Sequence, residues 1–354
     1  MIINEGSLKL KTKKFKRISK QMGVFYNPIM SLNRDISVLL LNSINKKNMQ
    51  IADPLAASGV RSIRFLKELS KNKIKKIYIN DIDKKAVKSI KENLILNKFN
   101  YKINKKISIN NEDANLFLLN SSGFDYIDID PFGSPNFLLD SSCRRLARDG
   151  ILAVTATDTA ALCGTALNAC VRKYWAVPKK DALMHETGLR ILIRKIQLVG
   201  AQYDKALVPI FSYSKAHYMR IFLKNEKGKN RVDEILQQFS FLNNVGPLWI
   251  GKLYDKELCD KMYKNALKND FFKNDKELLK FLKVIKDESK INSVGFYDLH
   301  DICEKNKIKH LLKKDIIKKN IKRLGFKVSD THFAGNGIRS NIPYQRLVNL
   351  LKNK

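Results

Sequence analysis

The chain is 354 residues long, comfortable for two domains, and its 44% hydrophobic content is enough to bury sizeable cores. Lys and Arg number 67 against 34 Asp and Glu, a formal net charge of +33, which points to a polyanionic partner rather than a small neutral one, unless a Lys- and Ile-rich composition alone accounts for it. The sequence has no apolar run long enough to span a membrane, no secretory apolar stretch after Met1, and five scattered cysteines without a C-x-x-C pair. A membrane span, a disulfide framework and a zinc knuckle are therefore not expected, and a reducing cytoplasm is.

Residues 8–20 form a basic lead-in, followed by the turn signal Phe25-Tyr26-Asn27-Pro28 and by Asn33-Arg34-Asp35, which opens an apolar helix to about Leu41. The period then switches repeatedly. Strands are expected at 49–53, 76–80, 107–109, 126–129 and 151–155, with helices at 58–69, 84–96 and 136–147 between them. This alternation predicts a doubly wound, mostly parallel sheet with helices on both faces. Two closing strands, 207–211 and 218–223, precede a polar boundary at 225–231, so the expected domains are 1–224 and 225–354, both net basic. The second domain is expected to be smaller and α+β. Helices at 297–305 and 313–324, a strand at 326–328 and a glycine turn at 334–337 suggest a winged-helix-like module. Its second helix carries Lys313, Lys314, Lys318, Lys319, Lys322 and Arg323, either as a solvated face or as a grip on phosphates.

Ligands of such sheets bind beyond the C-terminal strand ends. After the first strand comes Asp53-Pro54-Leu55-Ala56-Ala57-Ser58-Gly59, whose small residues allow close approach, with Arg61 and Arg64 one turn into the next helix. Either arginine can hold a carboxylate such as that of a methionine moiety. Asp81 ends the second strand, where an acid can grip ribose hydroxyls, while Asp83 suits a helix N-cap. Glu112 and Asp113 follow the third strand, where an acid can accept from an adenine amine. Three such signals at successive strand ends point to S-adenosyl-L-methionine. The fourth strand ends in Asp128-Ile129-Asp130-Pro131-Phe132-Gly133-Ser134-Pro135. Amine methylation needs an acceptor to orient the nitrogen, here Asp130 as the catalytic residue, and an aromatic face for a base held out of its stack, here Phe132. Pro131 stiffens the loop and leaves its carbonyl free to accept. Such a loop suits any planar amine, so an adenine-N6 methyltransferase on RNA stays open, as does a non-catalytic RNA-binding protein on the same fold.

Phe25-Tyr26-Asn27-Pro28 with Asn33-Arg34-Asp35, residues 53–65, Asn80-Asp81-Ile82, the motif at 130–135, Thr155-Ala156-Thr157-Asp158 and Gly246-Pro247-Leu248-Trp249-Ile250-Gly251 together resemble the tRNA (guanine(26)-N2)-dimethyltransferases. Thr331-His332-Phe333 before Gly337-Ile338-Arg339 resembles their C-terminal domain. The resemblance implies a Rossmann-like class I methyltransferase fold and S-adenosyl-L-methionine as methyl donor. It implies tRNA as the partner and guanine N2 as the acceptor. Arg34, one of Arg61 and Arg64, Asp81, Asp113 and Ala114 are implied to contact the cofactor, and Phe25 and Phe132 to flank the guanine beside Asp130 and Pro131. Some relatives carry cysteine pairs ahead of the Gly-Pro-Leu-Trp segment. Residues 237–245 here have none, so no metal is expected.

Overall fold

The computed structural model describes residues 1–12, 24 and 26–352, so Phe25 and most of the basic lead-in lie outside the described residues. Seven strands form the main sheet, in the spatial order Ile107–Asn110, Ile74–Asn80, Met49–Asp53, Phe124–Ile129, Leu146–Ala156, Tyr218–Lys227, Lys205–Lys215. The first five are parallel, and Tyr218–Lys227 runs antiparallel to both of its neighbours. The chain builds outward from Met49–Asp53 to one edge, then returns to Phe124–Ile129 on the other side, with Ile51 beside Tyr126 and Ala52 beside Ile127. That reversal makes a topological switch point, where the C-terminal strand ends part to leave a crevice. The central strands are apolar on both faces because helices cover both: Ile51, Ala52, Ile127 and Ile129 are wholly buried.

The expected strands and helices of this region are present, with shifted ends. The helix Asn136–Arg145 stops short, because the chain enters the long strand Leu146–Ala156 directly. Asp83 caps the helix Lys84–Leu96 by accepting from the Lys85 N–H at 2.8 Å. An N-terminal hairpin, Ile2–Glu5 with Leu8–Lys11, packs on that helix, where Asn93 and Asn97 accept from the Lys11 and Lys9 backbone.

The polar stretch at 225–231 ends the sheet but not its core. The strand Tyr218–Lys227 ends within it and the helix Lys229–Leu236 begins there. Val232, Ile235, Leu248, Met262, Phe281 and Ile285 beyond it join the same apolar core as the sheet, since the helices Lys256–Lys268 and Lys276–Glu288 lie against it. A separate small core begins only near residue 297, with Leu299, Ile302, Ile317, Ile321, Ile338 and Leu347. There a three-stranded sheet of order Tyr297–Asp298, Gly337–Ser340, Val328–Asp330 carries the helices Leu299–Lys305, Lys314–Arg323 and Tyr344–Lys352, giving the winged-helix-like module. Tyr297 and Asp298 are strand rather than helix, because the Asp298 carboxylate caps the helix by accepting from the His300 and Asp301 N–H groups.

The module is fastened to the sheet domain by a buried ion cluster. Arg339 binds Glu186 at 2.7 Å and Glu288 at 2.9 Å, and donates to the carbonyls of Ser293 and Gly295. Arg190 pairs with Glu186 at 2.9 Å, and His332 Nδ1 lies 2.7 Å from Glu288. The motifs Thr331-His332-Phe333 and Gly337-Ile338-Arg339 thus act at the seam.

Candidate active site

A cavity of about 850 Å3 opens at the switch point, lined by the ends of the first, second and fourth parallel strands, by residues 26–34 and by the hairpin tip 216–218. Gly59, with φ +76, starts the helix Val60–Glu68, and no side chain caps it. A Cβ there would meet Ile90 at 3.2 Å, so the tight turn needs glycine. The first-turn N–H groups of this helix form an end suited to a carboxylate.

Asp81 lies on the cavity wall. Its Oδ2 accepts from Ala57 N at 2.8 Å and its Oδ1 from Asp83 N at 2.9 Å, so it pins the turn while facing the cavity. Burial pushes its carboxyl up, and these two backbone bonds offset part of that rise. Ile29 and Ile82 flank it as exposed apolar surface.

Asp130, Pro131 and Phe132, which follow the fourth parallel strand, also line the cavity. Gly133 donates to Thr157 Oγ1 at 2.6 Å and accepts from Thr157 N at 2.9 Å, and Ser134 Oγ accepts from the Tyr174 hydroxyl at 3.0 Å. Two of the sequence motifs, 130–135 and 155–158, are therefore one rigid structure. Arg61 crosses behind the loop and pairs with Asp130 Oδ2, with Asp128 at 3.3 Å and with Ser37 Oγ at 3.0 Å. Asp128 sits deeper, as its position two residues earlier on the strand predicts, and is saturated by Arg220 at 2.7 Å and the Tyr126 hydroxyl at 2.6 Å. Burial raises its carboxyl, but Arg220 and Arg61 outweigh that and hold it below the usual range. Asp53 is pushed up to about 7, chiefly by burial, with Arg61 and a hydrogen bond from Ser62 offsetting part of the rise. Of these three carboxylates, Asp130 alone keeps a substantially exposed side chain.

The other expected site residues divide. Arg34 lines the cavity, and its guanidinium is held by both oxygens of Glu5 at 2.6 Å and by the Asn27 carbonyl. Arg64 does not reach the cavity. It is wholly buried among Asp35 at 2.6 Å, Glu68 at 2.7 Å and Glu5 at 3.3 Å, whereas Arg61 lines the cavity. Asp113 caps the helix Ala114–Leu119, accepting from the Asn115 and Leu116 N–H groups, and Ala114 is buried beneath it. Neither lines the cavity, although Asn111, two residues before Asp113, donates to the carbonyls of Asp81 and Ile82 on the cavity wall at 2.8 and 2.9 Å.

Sequence reasoning missed Glu5, Tyr26 as a bracing group, Arg220 and the tip residues His217 and Tyr218. Tyr26 donates to Glu5 Oε2 at 2.8 Å and lies under the Arg34 guanidinium. One signal was available for Arg220: a lone arginine in the apolar run Tyr218-Met219-Arg220-Ile221-Phe222-Leu223 demands a buried acid on a nearby strand.

A family model described as N2,N2-dimethylguanosine tRNA methyltransferase matches residues 6–245 and 240–352. A tRNA (guanine(26)-N(2)/guanine(27)-N(2))-dimethyltransferase of Aquifex aeolicus is 39% identical, covering 98% of this chain and 94% of its own. A tRNA (guanine(26)-N(2))-dimethyltransferase of Methanocaldococcus jannaschii is 37% identical over 98% of this chain and 97% of its own. The structure of Trm1 from Pyrococcus horikoshii in complex with S-adenosyl-L-methionine matches with a TM-score of 0.91 at 35% identity, covering all of both chains. The chain belongs to the N2,N2-dimethylguanosine tRNA methyltransferase family.

Proposed function

We propose that this protein transfers methyl groups from S-adenosyl-L-methionine to the exocyclic N2 amine of guanine 26 in tRNA, giving mono- and then dimethylguanosine. The observation that carries this reading is that one cavity is lined by Asp130, Pro131 and Phe132 together with Asp81 and the residues at the uncapped start of the helix Val60–Glu68. When bound, S-adenosyl-L-methionine supplies an electrophilic methyl group. The cavity suits it: Asp81 faces where ribose hydroxyls can donate, Arg61 and Arg34 supply cationic charge, and Ile29 and Ile82 offer apolar faces for an adenine. Asp130 and the Pro131 carbonyl accept from the guanine amine and aim its nitrogen. Phe132 and Phe25 hold the base between them, Phe25 lying outside the described residues. Each transfer would form one N–C bond as the S–CH3 bond of the donor breaks, leaving S-adenosyl-L-homocysteine, and the amine proton released would pass to the Asp130 carboxylate.

No described helix is long and apolar enough to cross a membrane, and the net charge of +33 suits tRNA phosphates. We place the reaction in the cytoplasm, where unmodified tRNA is available. Label from methyl-tritiated cofactor should enter bulk tRNA, and digestion should yield N2-methyl- and N2,N2-dimethylguanosine. Label in N6-methyladenosine, or no label at all, refutes the reading.

A further inference from the structure

The segment 164–180 lies beside the acceptor loop and takes no part in the chemistry above. Asn136 Nδ2 donates to the Lys173 carbonyl at 2.7 Å, and Tyr174 reaches both Ser134 and Asp158, so the helix Leu167–Tyr174 is fixed to residues 134–136. Further along, Val177 exchanges two backbone hydrogen bonds with Gly246, at 2.7 and 2.9 Å. The result is a strap held at both ends.

Its outer surface is apolar and basic at once. Leu167, Val171 and Trp175 follow one another at four-residue spacing and are 45%, 41% and 52% exposed, with Phe137 of the helix Asn136–Arg145 54% exposed. Lys195 Nζ lies 3.0 Å from the Trp175 ring centroid, bracing the indole while half of its surface stays open to solvent. Arg172, Lys173, Lys179 and Lys180 border the stripe, all exposed, and residues 164–180 contain no acidic side chain. Among the described residues only Lys173 of these four has an ion-pair partner, Asp158 at 3.3 Å. An apolar stripe alone would suit a protein partner. A braced indole framed by cations suits a ligand with flat apolar faces and negative charge, which is unstacked nucleic acid.

We infer that this strap is an RNA-docking surface: Trp175 and the Leu167/Val171 face receive a nucleobase unstacked near the target guanine, while Arg172, Lys179 and Lys180 take flanking phosphates. The inference rests on the RNA methyl transfer proposed above. Its position fits, since Tyr174, one residue before Trp175, already touches the acceptor loop.

The test uses the full-length protein and unmodified tRNA. Trp175→Ala should weaken tRNA binding by about 5- to 150-fold, and Trp175→Phe should recover most of it. Lys179→Gln with Lys180→Gln should flatten the log–log salt slope of binding by about 1.4–1.8. Affinity for S-adenosyl-L-methionine, read by calorimetry, should stay parental in all three. Trp249, the other tryptophan, is 4% exposed, so fluorescence quenching on adding tRNA reports Trp175. Should Trp175→Ala fail to fold, the lysine pair and the quenching of the parental protein still decide. Parental affinity and slope without quenching overturn the inference and leave a protein partner for the stripe. If the parental protein binds tRNA but transfers no methyl, the proposed function fails separately from the docking surface.

Discussion

Replacing Asp130 by Asn isolates the acceptor role, because its neighbours leave no substitute. Asp128 is saturated by Arg220, Tyr126 and Arg61, and Asp53 is buried with Ser62 and pushed up to about 7. Asp130 gives one oxygen, Oδ2, to Arg61, and among the described residues Oδ1 accepts from no protein donor. In the Asn variant the guanidinium, which can only donate, claims the amide oxygen. The amide NH2 then points into the cavity, toward an amine that also donates. The change removes one charge-assisted hydrogen bond, about 1.5–3 kcal/mol, together with the proton acceptor. A positioned acid–base group contributes about 10²–10⁴ in rate, or roughly 3–5.5 kcal/mol, and that is the expected loss in turnover. Cofactor affinity should change little, since Asp81 and the helix start are untouched. Single-turnover transfer at saturating tRNA measures the effect, with calorimetry for the cofactor and thermal unfolding as a control. Turnover within threefold of the parental rate would refute the assignment and pass the acceptor role to a loop carbonyl.

Asp81→Ala should weaken cofactor binding by about 1.5–3 kcal/mol by calorimetry, whereas Asp83→Ala should cost about 1 kcal/mol of stability and leave affinity intact. Arg64→Met should leave cofactor affinity near parental but destabilise the fold by about 3–5 kcal/mol in urea, because Asp35, Glu68 and Glu5 lose a shared buried cation; a selective loss of cofactor affinity would return Arg64 to the site. Burial raises the Glu288 carboxyl, but His332 and Arg339 outweigh this and hold it at about 2, against an ordinary 4.5. A depressed acid stabilises the fold above the unfolded value, so on the order of 3 kcal/mol should be lost as pH falls from about 4.5 toward 2, and Glu288→Gln should remove that part of the acid slope. In the helix Lys314–Arg323, Lys314 and Lys318 are tied to Asp330, leaving Lys319, Lys322 and Arg323 exposed. Changing these three to Gln should flatten the salt slope of tRNA binding by about 0.7–0.9 for each phosphate they neutralise, and an unaltered slope means the helix faces only solvent.

Legibility in the sequence followed the physics of each element. The parallel strands are short apolar runs bounded by turn residues, and Lys84–Leu96 shows one apolar face, so both could be read. Met184–Ala201 went unread although Glu186, Arg190, Arg194 and Gln197 recur at helical spacing, and there polarity does not mark the solvent side, since Glu186, Arg190 and Gln197 are buried as fully as Leu189, Ile191 and Leu192. The expected boundary at 225–231 coincides with the end of a strand, whereas the apolar core of the sheet takes in side chains beyond it, as far as Phe296 and Phe333. Asp81 and Asp130 were expected at strand ends, and both line the cavity. Arg61 and Arg64 could not be separated, since residues three apart differ in direction by only about 60° on a helix. Their fates depend on which acids the neighbouring elements supply: Asp128 and Asp130 from the sheet for one, Glu5 and Asp35 from the N-terminal segment for the other.

The two buried ion clusters show why similar chemistry serves different ends. A fully enclosed ion pair adds little net stability, since desolvating the charges cancels much of their attraction. Apolar side chains could hold the C-terminal module to the sheet domain as tightly. What the ion cluster adds is a penalty for any other register, because a displaced buried charge loses its partners. Arg339 directs its guanidinium at four separate places, Glu186, Glu288 and the carbonyls of Ser293 and Gly295, and displacement by one residue would strand all of them without partners. That cluster is closed on every side and so can only position. The cluster around Arg61 is built from the same residue types but stops one acid short of closure: the Asp130 side chain lies at the cavity edge instead of under a second arginine. An acceptor held rigidly from behind and open in front can orient a weak nucleophile without being neutralised, and this is the property amine methylation asks of it.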